Sequence, residues 1–272
     1  DPGYLKVYAQ DYLEQLSTVK DQTPVHFHVV SSSEEDLAKI AELRKRFEED
    51  ASIGLSYEVV SFGNLKTYSS LVRYIVTSRI MDAYESAVFI SDIDLVMRQS
   101  PDLCLKDNPE KIGLFFGIQI HTYFPWQIIK AGAGLYPNND TSRVFLKIVG
   151  SFMMYSYING NDGWMLDQMA LEYAYRNSAD KSAFYSLKEA GFPITQVQDR
   201  PQRRAEAKKV SDITAQDGGL LHYYHNRNAV MARLDAMEFS NFKVALKSKD
   251  ELDLLEQWIQ HYGDIFGYEN IV

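Results

Sequence analysis

The chain has 272 residues, 46% of them hydrophobic and 13% aromatic, so it is long and apolar enough to bury a core and too apolar to be disordered. Its 28 basic and 37 acidic residues give a formal net charge of -9, which argues against a generic nucleic-acid or anionic-membrane surface. One cysteine excludes an internal disulfide framework, and no apolar run reaches the ~18 residues of a membrane span, so we expect a soluble, cytoplasmic protein that could be a piece of a longer chain.

The first element is an amphipathic helix within Tyr4–Val19, which we assign to an N-terminal extension, residues 1–22, that could be the stub of a preceding domain. The apolar run Val25–Val30 then indicates a first buried strand. His26 and His28 share one face of this strand. We interpret them as sheet histidines that face a helix rather than as metal ligands, because no acidic residue lies nearby in the sequence.

A strand, a capped turn and a helix then open an α/β nucleotide-binding unit. The segment Ser31–Asp36 supplies the capping residues of the turn, and apolar residues recur at helical spacing as far as Phe47. A second strand is predicted at Leu55–Phe62 and a helix at Tyr68–Tyr84. Arg73 lies on that helix, where it is either a surface group or a partner for a pyrophosphate.

The next segment, Ala87–Met97, places two carboxylates at the end of a strand. Ala87–Ile90 is an apolar run typical of a strand buried on both faces of a mostly parallel sheet. Asp92 and Asp94 follow at its carboxyl end, where open α/β sheets bind ligands. On an extended segment both side chains point to the same side, so a divalent cation could join them to a phosphate; the alternative is a solvated loop.

The following elements continue the alternation of strands and helices, which predicts an α/β fold with a doubly wound parallel sheet. Ile112–Ile118 is a plausible strand, and the small residues of Ala131–Gly134 form either a strand or a tight turn. A helix is predicted at Asn138–Tyr157, capped by Asp140 or Thr141.

The last part of the chain contains fewer interpretable signals. A late strand is predicted at Phe192–Val197. The basic cluster Arg200–Lys209 is either a solvated loop or a lid over a diphosphate. Gly218–Arg227 is predicted as a strand ending in histidines, and residues 229–272 as terminal helices.

Four of these segments together resemble the GT-A fold glycosyltransferases, especially the glycogenin and galactosyltransferase-like group called family eight. They are the helix with Arg73, the strand ending in Asp92-Ile-Asp94, the helix opening with Asp167-Gln168, and the strand with His222. The resemblance spans Val25 to Arg227. It implies a GT-A catalytic domain at 23–228 with a single Rossmann-like, mostly parallel central sheet flanked by helices, and C-terminal helices at 229–272 packed on it.

The resemblance also implies a set of site residues. Asp92, Asp94 and His222 would hold Mn²⁺ or Mg²⁺ on the diphosphate of a nucleotide sugar, and Asp167 and Gln168 would face the sugar as catalytic residues. The implied nucleotide-sugar-binding residues are Val30, Ser31, Arg73, Ser91, Asp92, Ile93, Ala133, Gly134 and Arg227. Gly132 stands where the family has a sugar-contacting Asn, and Asn228 where it has a Lys, which leaves Arg227 as the phosphate partner.

The implied reaction is metal-dependent transfer of a hexose, with retention, from a nucleotide sugar to a glycan, lipid or protein acceptor. A uridine diphosphate sugar is the expected donor. Two alternatives stay open: a haloacid-dehalogenase-like phosphatase with Asp92 as nucleophile, and a non-catalytic scaffold that binds nucleotide sugars. The phosphatase pattern follows the first strand of its domain, whereas at least two predicted strands precede Asp92 here.

Overall fold

The structure is a computed structural model that describes residues 2–19, 24–31, 38, 41, 45, 53–60, 65–97, 99–117, 128–158, 166–192 and 195–196. The basic cluster Arg200–Lys209, the strand predicted at Gly218–Arg227 and the helices predicted at 229–272 lie outside the described residues, as does nearly all of the helix predicted after Asp36. In the described ranges the chain is an α/β protein. No helix in those ranges combines the length and the apolar character that crossing a membrane requires.

The first unit is a two-stranded parallel sheet covered on one face by a helix. Its elements are α1, Pro2–Val19; β1, Val25–Ser31; and β2, Ile53–Val59. Because side chains alternate along a strand, one face presents Phe27 and Val29, which pack against Leu5 and Ala9 of α1 in a small apolar cluster.

The opposite face of this sheet carries a chain of hydrogen-bonded side chains that we call the polar ladder. In order, its members are Tyr84, His26, Ser56, His28, Glu58 and Tyr68. Ser56 Oγ lies 2.7 Å from His26 Nε2 and 2.8 Å from His28 Nδ1. At the two ends, Tyr84 Oη lies 3.1 Å from His26 Nδ1, and Glu58 Oε1 lies 3.0 Å from His28 Nε2.

The ladder connects the sheet to the next helix, α2, which spans Leu65–Tyr84. Tyr84 is its last residue, and Tyr68 in its first turn donates to Glu58 Oε2 over 2.9 Å. The interpretation of His26 and His28 as sheet histidines that face a helix is therefore confirmed.

Helix α2 is buried along most of its length. Tyr68, Leu71 and Ile75 are fully buried in the largest apolar cluster, as the helical spacing of its apolar residues requires. The helix packs against β1 and also against the later strand Val88–Ser91 and the later helices Asp140–Ile158 and Leu166–Asn177. Arg73 lies midway along it and is mostly buried, with 21% of its side chain exposed.

The larger sheet is mixed rather than mostly parallel. Its strands are β3, Val88–Ser91; β5, Ile112–Phe116; β6, Ile129–Tyr136; and β7, Phe184–Ser186; while β4, Leu95–Val96, pairs with β8, Thr195–Gln196. The order is β3-β6-β5-β7, with β6 antiparallel to both of its neighbours and β5 parallel to β7. The expectation for Ala87–Ile90 was wrong in one respect: β3 is antiparallel to β6 and lies at an end of the described sheet, because an apolar run carries no information on strand direction.

The remaining helices are α3, Asp102–Asp107; α4, Asp140–Ile158; and α5, Leu166–Asn177. Asn139 caps α4, since its Oδ1 accepts from the backbone N–H of Ser142 at 2.9 Å, so the predicted caps Asp140 and Thr141 were wrong by one or two residues. Asn, Asp and Thr all cap helices, and their order in the sequence does not say which one precedes the first turn.

Candidate functional site

The two carboxylates after β3 lie in a turn, not on an extended segment. The backbone N–H of Leu95 donates to the carbonyl of Asp92 over 3.2 Å and closes the turn, which contains Ile93 and Asp94. The expectation of an extended segment at Asp92–Asp94 was therefore wrong. The backbone N–H of Asp92 donates to the carbonyl of Gly132 at 2.9 Å, so β6 fixes where the turn begins.

Arg73 joins two of the predicted site residues. One terminal guanidinium nitrogen, Nη1, pairs with Asp92 Oδ1, and the other, Nη2, lies 2.6 Å from Asp167 Oδ2. Arg73 and Asp167 are 94 residues apart in the sequence, on α2 and α5. Three side chains that the sequence assigned separately to nucleotide, metal and sugar are thus in one hydrogen-bonded group.

Burial sets the electrostatics of this group. Burial alone would lower the pKa of the Arg73 guanidinium, but the charges of Asp92 and Asp167 outweigh it and raise that pKa well above its ordinary value. Burial raises the pKa of the Asp167 carboxyl, and the ion pair with Arg73 opposes this effect. Asp167 is only 9% exposed against 33% for Asp92, so Asp92 is the carboxylate open to a ligand.

Two buried polar atoms beside this group lack a partner among the described residues: Arg73 Nε and the hydroxyl of Tyr136. The neighbouring hydroxyl of Tyr74, by contrast, donates to the carbonyl of Ala131 over 2.9 Å. A buried donor without an acceptor is costly, so these two atoms leave hydrogen-bonding capacity unused among the described residues.

Strand β6 packs against Asp92 through Gly132. A β-carbon at Gly132 would lie 3.0 Å from Asp92 Oδ2, so a larger residue at this position would crowd the carboxylate. Ala133 and Gly134 are buried and pair with Ser91 and Ile90 of β3.

Both carboxylate oxygens of Asp167 accept hydrogen bonds. Oδ1 accepts from the backbone N–H of Gln168 at 2.8 Å, and Oδ2 accepts from Arg73. Asp167 therefore joins the start of α5 to Arg73 of α2. The helix geometry places Gln168 next to it, in the first turn of α5 and partly exposed.

The other predicted site residues that the structure describes do not belong to this hydrogen-bonded group of three side chains. Val30 and Ser31 end β1 in the smaller sheet with buried side chains, and Ile93 packs with the apolar cluster under α1. Ser91 is the last residue of β3, beside Asp92. His222 and Arg227 lie outside the described residues.

The described residues provide some of the ligands that a hard divalent cation prefers. Carboxylate oxygens are the ligands that Mg²⁺ and Mn²⁺ prefer, and Asp92 Oδ2, on the Gly132 side, is not the oxygen that Arg73 uses. Among the described residues no three His, Cys, Asp or Glu side chains are grouped to hold a metal ion. His222, the third ligand that the resemblance implies, lies outside the described residues.

Sequence reasoning missed two features of the site, the close approach of Gly132 to Asp92 and the contacts that helix α1 makes with this region. The small residues of Ala131–Gly134 indicate close backbone approach, but the sequence does not say that Asp92 is the group that approaches Gly132. No protein-family model matches this chain, and no curated protein matches it either.

Proposed function

We propose that this chain is a GT-A type glycosyltransferase that transfers a hexose from a nucleotide sugar, with uridine diphosphate sugars as the expected donors. The observation that carries the proposal is the convergence of Asp92 and Asp167 on Arg73. An arginine can bind a charged diphosphate, and a carboxylate at a strand end can hold the cation that accompanies it. A carboxylate at a helix start can accept a hydrogen bond from a sugar hydroxyl.

The finer fold belongs to the same proposal. A GT-A domain would join the smaller parallel sheet and the mixed sheet into one Rossmann-like unit over 23–228. The position of α2, packed against β1 and β3, supports such a unit, because one helix then spans both sheets.

Each member of the group has a role in this proposal. Asp92 and Asp94, with His222, would hold Mn²⁺ or Mg²⁺, which when bound offsets the negative charge of the departing diphosphate. Arg73 has an unpartnered Nε and a permanent charge, so it can bind a phosphate oxygen. Asp167 accepts hydrogen bonds and Gln168 offers an amide, the groups that orient a sugar and stabilise charge at its anomeric carbon.

Replacing Asp94 with Asn tests the proposal, because it keeps the size of the side chain and removes one charge from the cation. We expect the affinity for uridine diphosphate with Mn²⁺, measured by titration calorimetry, to fall at least about tenfold while the melting temperature is unchanged. Asp107→Asn, the same change at an exposed position of α3, is the matched control and should bind like the parent. Equal affinity in the parent and Asp94→Asn would remove Asp94 from the site.

A panel of sugar nucleotides separates the proposed function from its alternatives. A transferase releases the free nucleotide in the presence of Mn²⁺ with at least one donor, whereas a binding scaffold releases none. A phosphatase would instead bind fluoroberyllate at Asp92. Release of inorganic phosphate from a phosphate ester, with no nucleotide release from any donor, would overturn the proposal.

A further inference from the structure

Helix α1 contacts the chain on both sides of the turn that carries Asp92 and Asp94. Immediately before the turn, the hydroxyl of Tyr12 lies 2.5 Å from Ser91 Oγ. After the turn and the short strand β4, the backbone N–H of Met97 donates to Gln15 Oε1 over 3.3 Å. Tyr12 and Gln15 are three residues apart and so lie on the same face of the helix.

The hydrogen bonds at the start of the turn form a directed chain. Ser91 Oγ donates to the carbonyl of Asp92 at 3.2 Å, so the hydroxyl of Tyr12 is the donor to Ser91. The same carbonyl accepts the N–H of Leu95, the bond that closes the turn. Tyr12 therefore acts on the carbonyl around which the turn is built.

Packing fixes α1 in this position. The ring of Tyr12 meets that of Phe27 edge to face at a centroid distance of 6.4 Å, and Ile93 of the turn packs with the apolar cluster under the helix. One turn further along, Leu16 is buried with Met97. Burial raises the pKa of the Tyr12 hydroxyl, its bond to Ser91 opposes this, and the charge of Asp92 raises the pKa further, which agrees with a position beside the carboxylate.

We propose that Tyr12 and Gln15 are positioning residues that clamp the Asp92-Ile-Asp94 turn from both sides and so hold its carboxylates ready for the metal-bound diphosphate. The clamp deepens the proposed function and rests on it for the identity of the ligand. The residues 1–22, assigned from the sequence to an extension, then contain part of the site's framework. Neither Tyr12 nor Gln15 is a catalytic residue, since each acts through the turn.

Amide hydrogen exchange on the metal-free full-length chain tests the clamp without reference to any reaction. Gln15→Ala removes the acceptor of the Met97 N–H, so we expect that amide to exchange about five- to tenfold faster, the effect of one lost hydrogen bond. Tyr12→Phe should speed exchange of the Leu95 amide by a similar factor. Gln15→Glu keeps an acceptor oxygen at the same place and should keep Met97 protected.

Two matched controls lie on the same helix. Gln10→Ala removes an exposed side chain bonded to Glu14 on the helix surface, and Tyr4→Phe repeats the tyrosine change where the ring contacts that of Tyr8. Both should leave the exchange of Leu95 and Met97 at the parental rate. Unchanged exchange in Gln15→Ala and Tyr12→Phe, or equal acceleration in the controls, would overturn the clamp.

The link to the ligand is tested by the affinity of the same variants for uridine diphosphate with Mn²⁺. We expect Tyr12→Phe to bind about threefold or more weakly and Gln10→Ala to bind like the parent. Faster exchange with parental affinity would overturn the positioning role and leave the proposed function intact. A parent that binds no nucleotide would overturn the proposed function, while the exchange rates would still decide whether the clamp exists.

Discussion

Arg73 uses both terminal nitrogens of its guanidinium on carboxylates from different elements, Asp92 after β3 and Asp167 in α5. A planar fork can hold two partners at fixed positions, whereas a lysine ammonium is a single point of charge. For holding both carboxylates in place, the planar shape of the Arg73 guanidinium therefore matters more than its charge. A conservative change at this position is expected to behave as a severe one.

Arg73→Lys should lower the free energy of unfolding by about 1–3 kcal/mol, because Asp167 is buried and would lose its partner. Urea denaturation measures the change. Arg143→Lys is the matched control: Arg143 pairs with Asp82 at 2.8 Å in an exposed ion pair, and the cost there should stay below about 1 kcal/mol. Similar losses in the two variants would show that the fork geometry of Arg73 contributes nothing.

At the residue scale, the sequence indicated candidate residues but not the contacts between them. Arg73 was singled out as a candidate because it lies on the helix that leads into the acidic strand end. Its pairing with Asp167 was not predicted, since helical periodicity gives the face of a residue and not its partner 94 positions away. The same limit applies to Tyr12, which no sequence spacing connects to Ser91.

At the scale of elements, the polar ladder joins a sheet to a helix through titratable side chains. Burial, helped by the proximity of His28, lowers the pKa of His26 from 6.5 to about 4. His28, Ser56, Glu58, Tyr68 and Tyr84 are the polar groups of the ladder around it, while α1 covers the opposite face with apolar residues. The folded protein thus keeps His26 neutral where the unfolded chain would protonate it.

The stability of the protein should therefore depend on pH. Since the pKa of His26 is lowered on folding, its contribution is complete above about pH 6.5 and is lost as the pH falls from about 6.5 towards 4. We expect the urea midpoint to drop across this window, and His26→Gln, which retains an amide donor and an acceptor but cannot titrate, to flatten the dependence. An equal slope in the parent and in His26→Gln would exclude His26 as its source.

The sequence predicted the ladder only in part. Alternation along a strand placed His26 and His28 on one face, and that placement is confirmed. The partners on β2 depend on the register of two strands separated by residues 32–52, which periodicity does not determine. The direction of β3 was missed for a related reason, because local pattern does not specify which neighbour a strand pairs with.

At the scale of the whole molecule, the described residues form three apolar clusters, two of which lie on either side of the β1–β2 sheet. The largest contains α2, α4, α5 and the mixed sheet, and a small one lies between α1 and the β1–β2 sheet. The third joins Leu16 of α1 to Met97 and to Leu135 of the mixed sheet. In the described ranges the two-stranded sheet has no hydrogen-bonded strand neighbour beyond its own pair, and within these ranges packing and the ladder connect it to the other elements.

Native-state hydrogen exchange should therefore detect two levels of stability. We expect the amides of β1 and β2 to exchange through an opening of lower free energy than those of β5 and β6, since small, locally packed units open first. Tyr84→Phe, which removes one end of the ladder, should widen the difference, and Tyr57→Phe, at an exposed position of β2, should not. A single opening free energy for all four strands would mean that the two sheets unfold together.

The polar ladder also has a direction. When Glu58 is ionised and His28 is neutral, the carboxylate can only accept, so the His28 proton is on Nε2 and its Nδ1 accepts from the hydroxyl of Ser56. Ser56 must then accept from Nε2–H of His26, whose Nδ1 accepts from Tyr84. Every donor in the ladder points towards Glu58. Reversing the direction of a single hydrogen bond would therefore place two protons or two lone pairs against each other. One carboxylate thus determines the tautomers of two histidines and the orientation of two hydroxyls, and the sheet meets the helix through a chain of aligned dipoles.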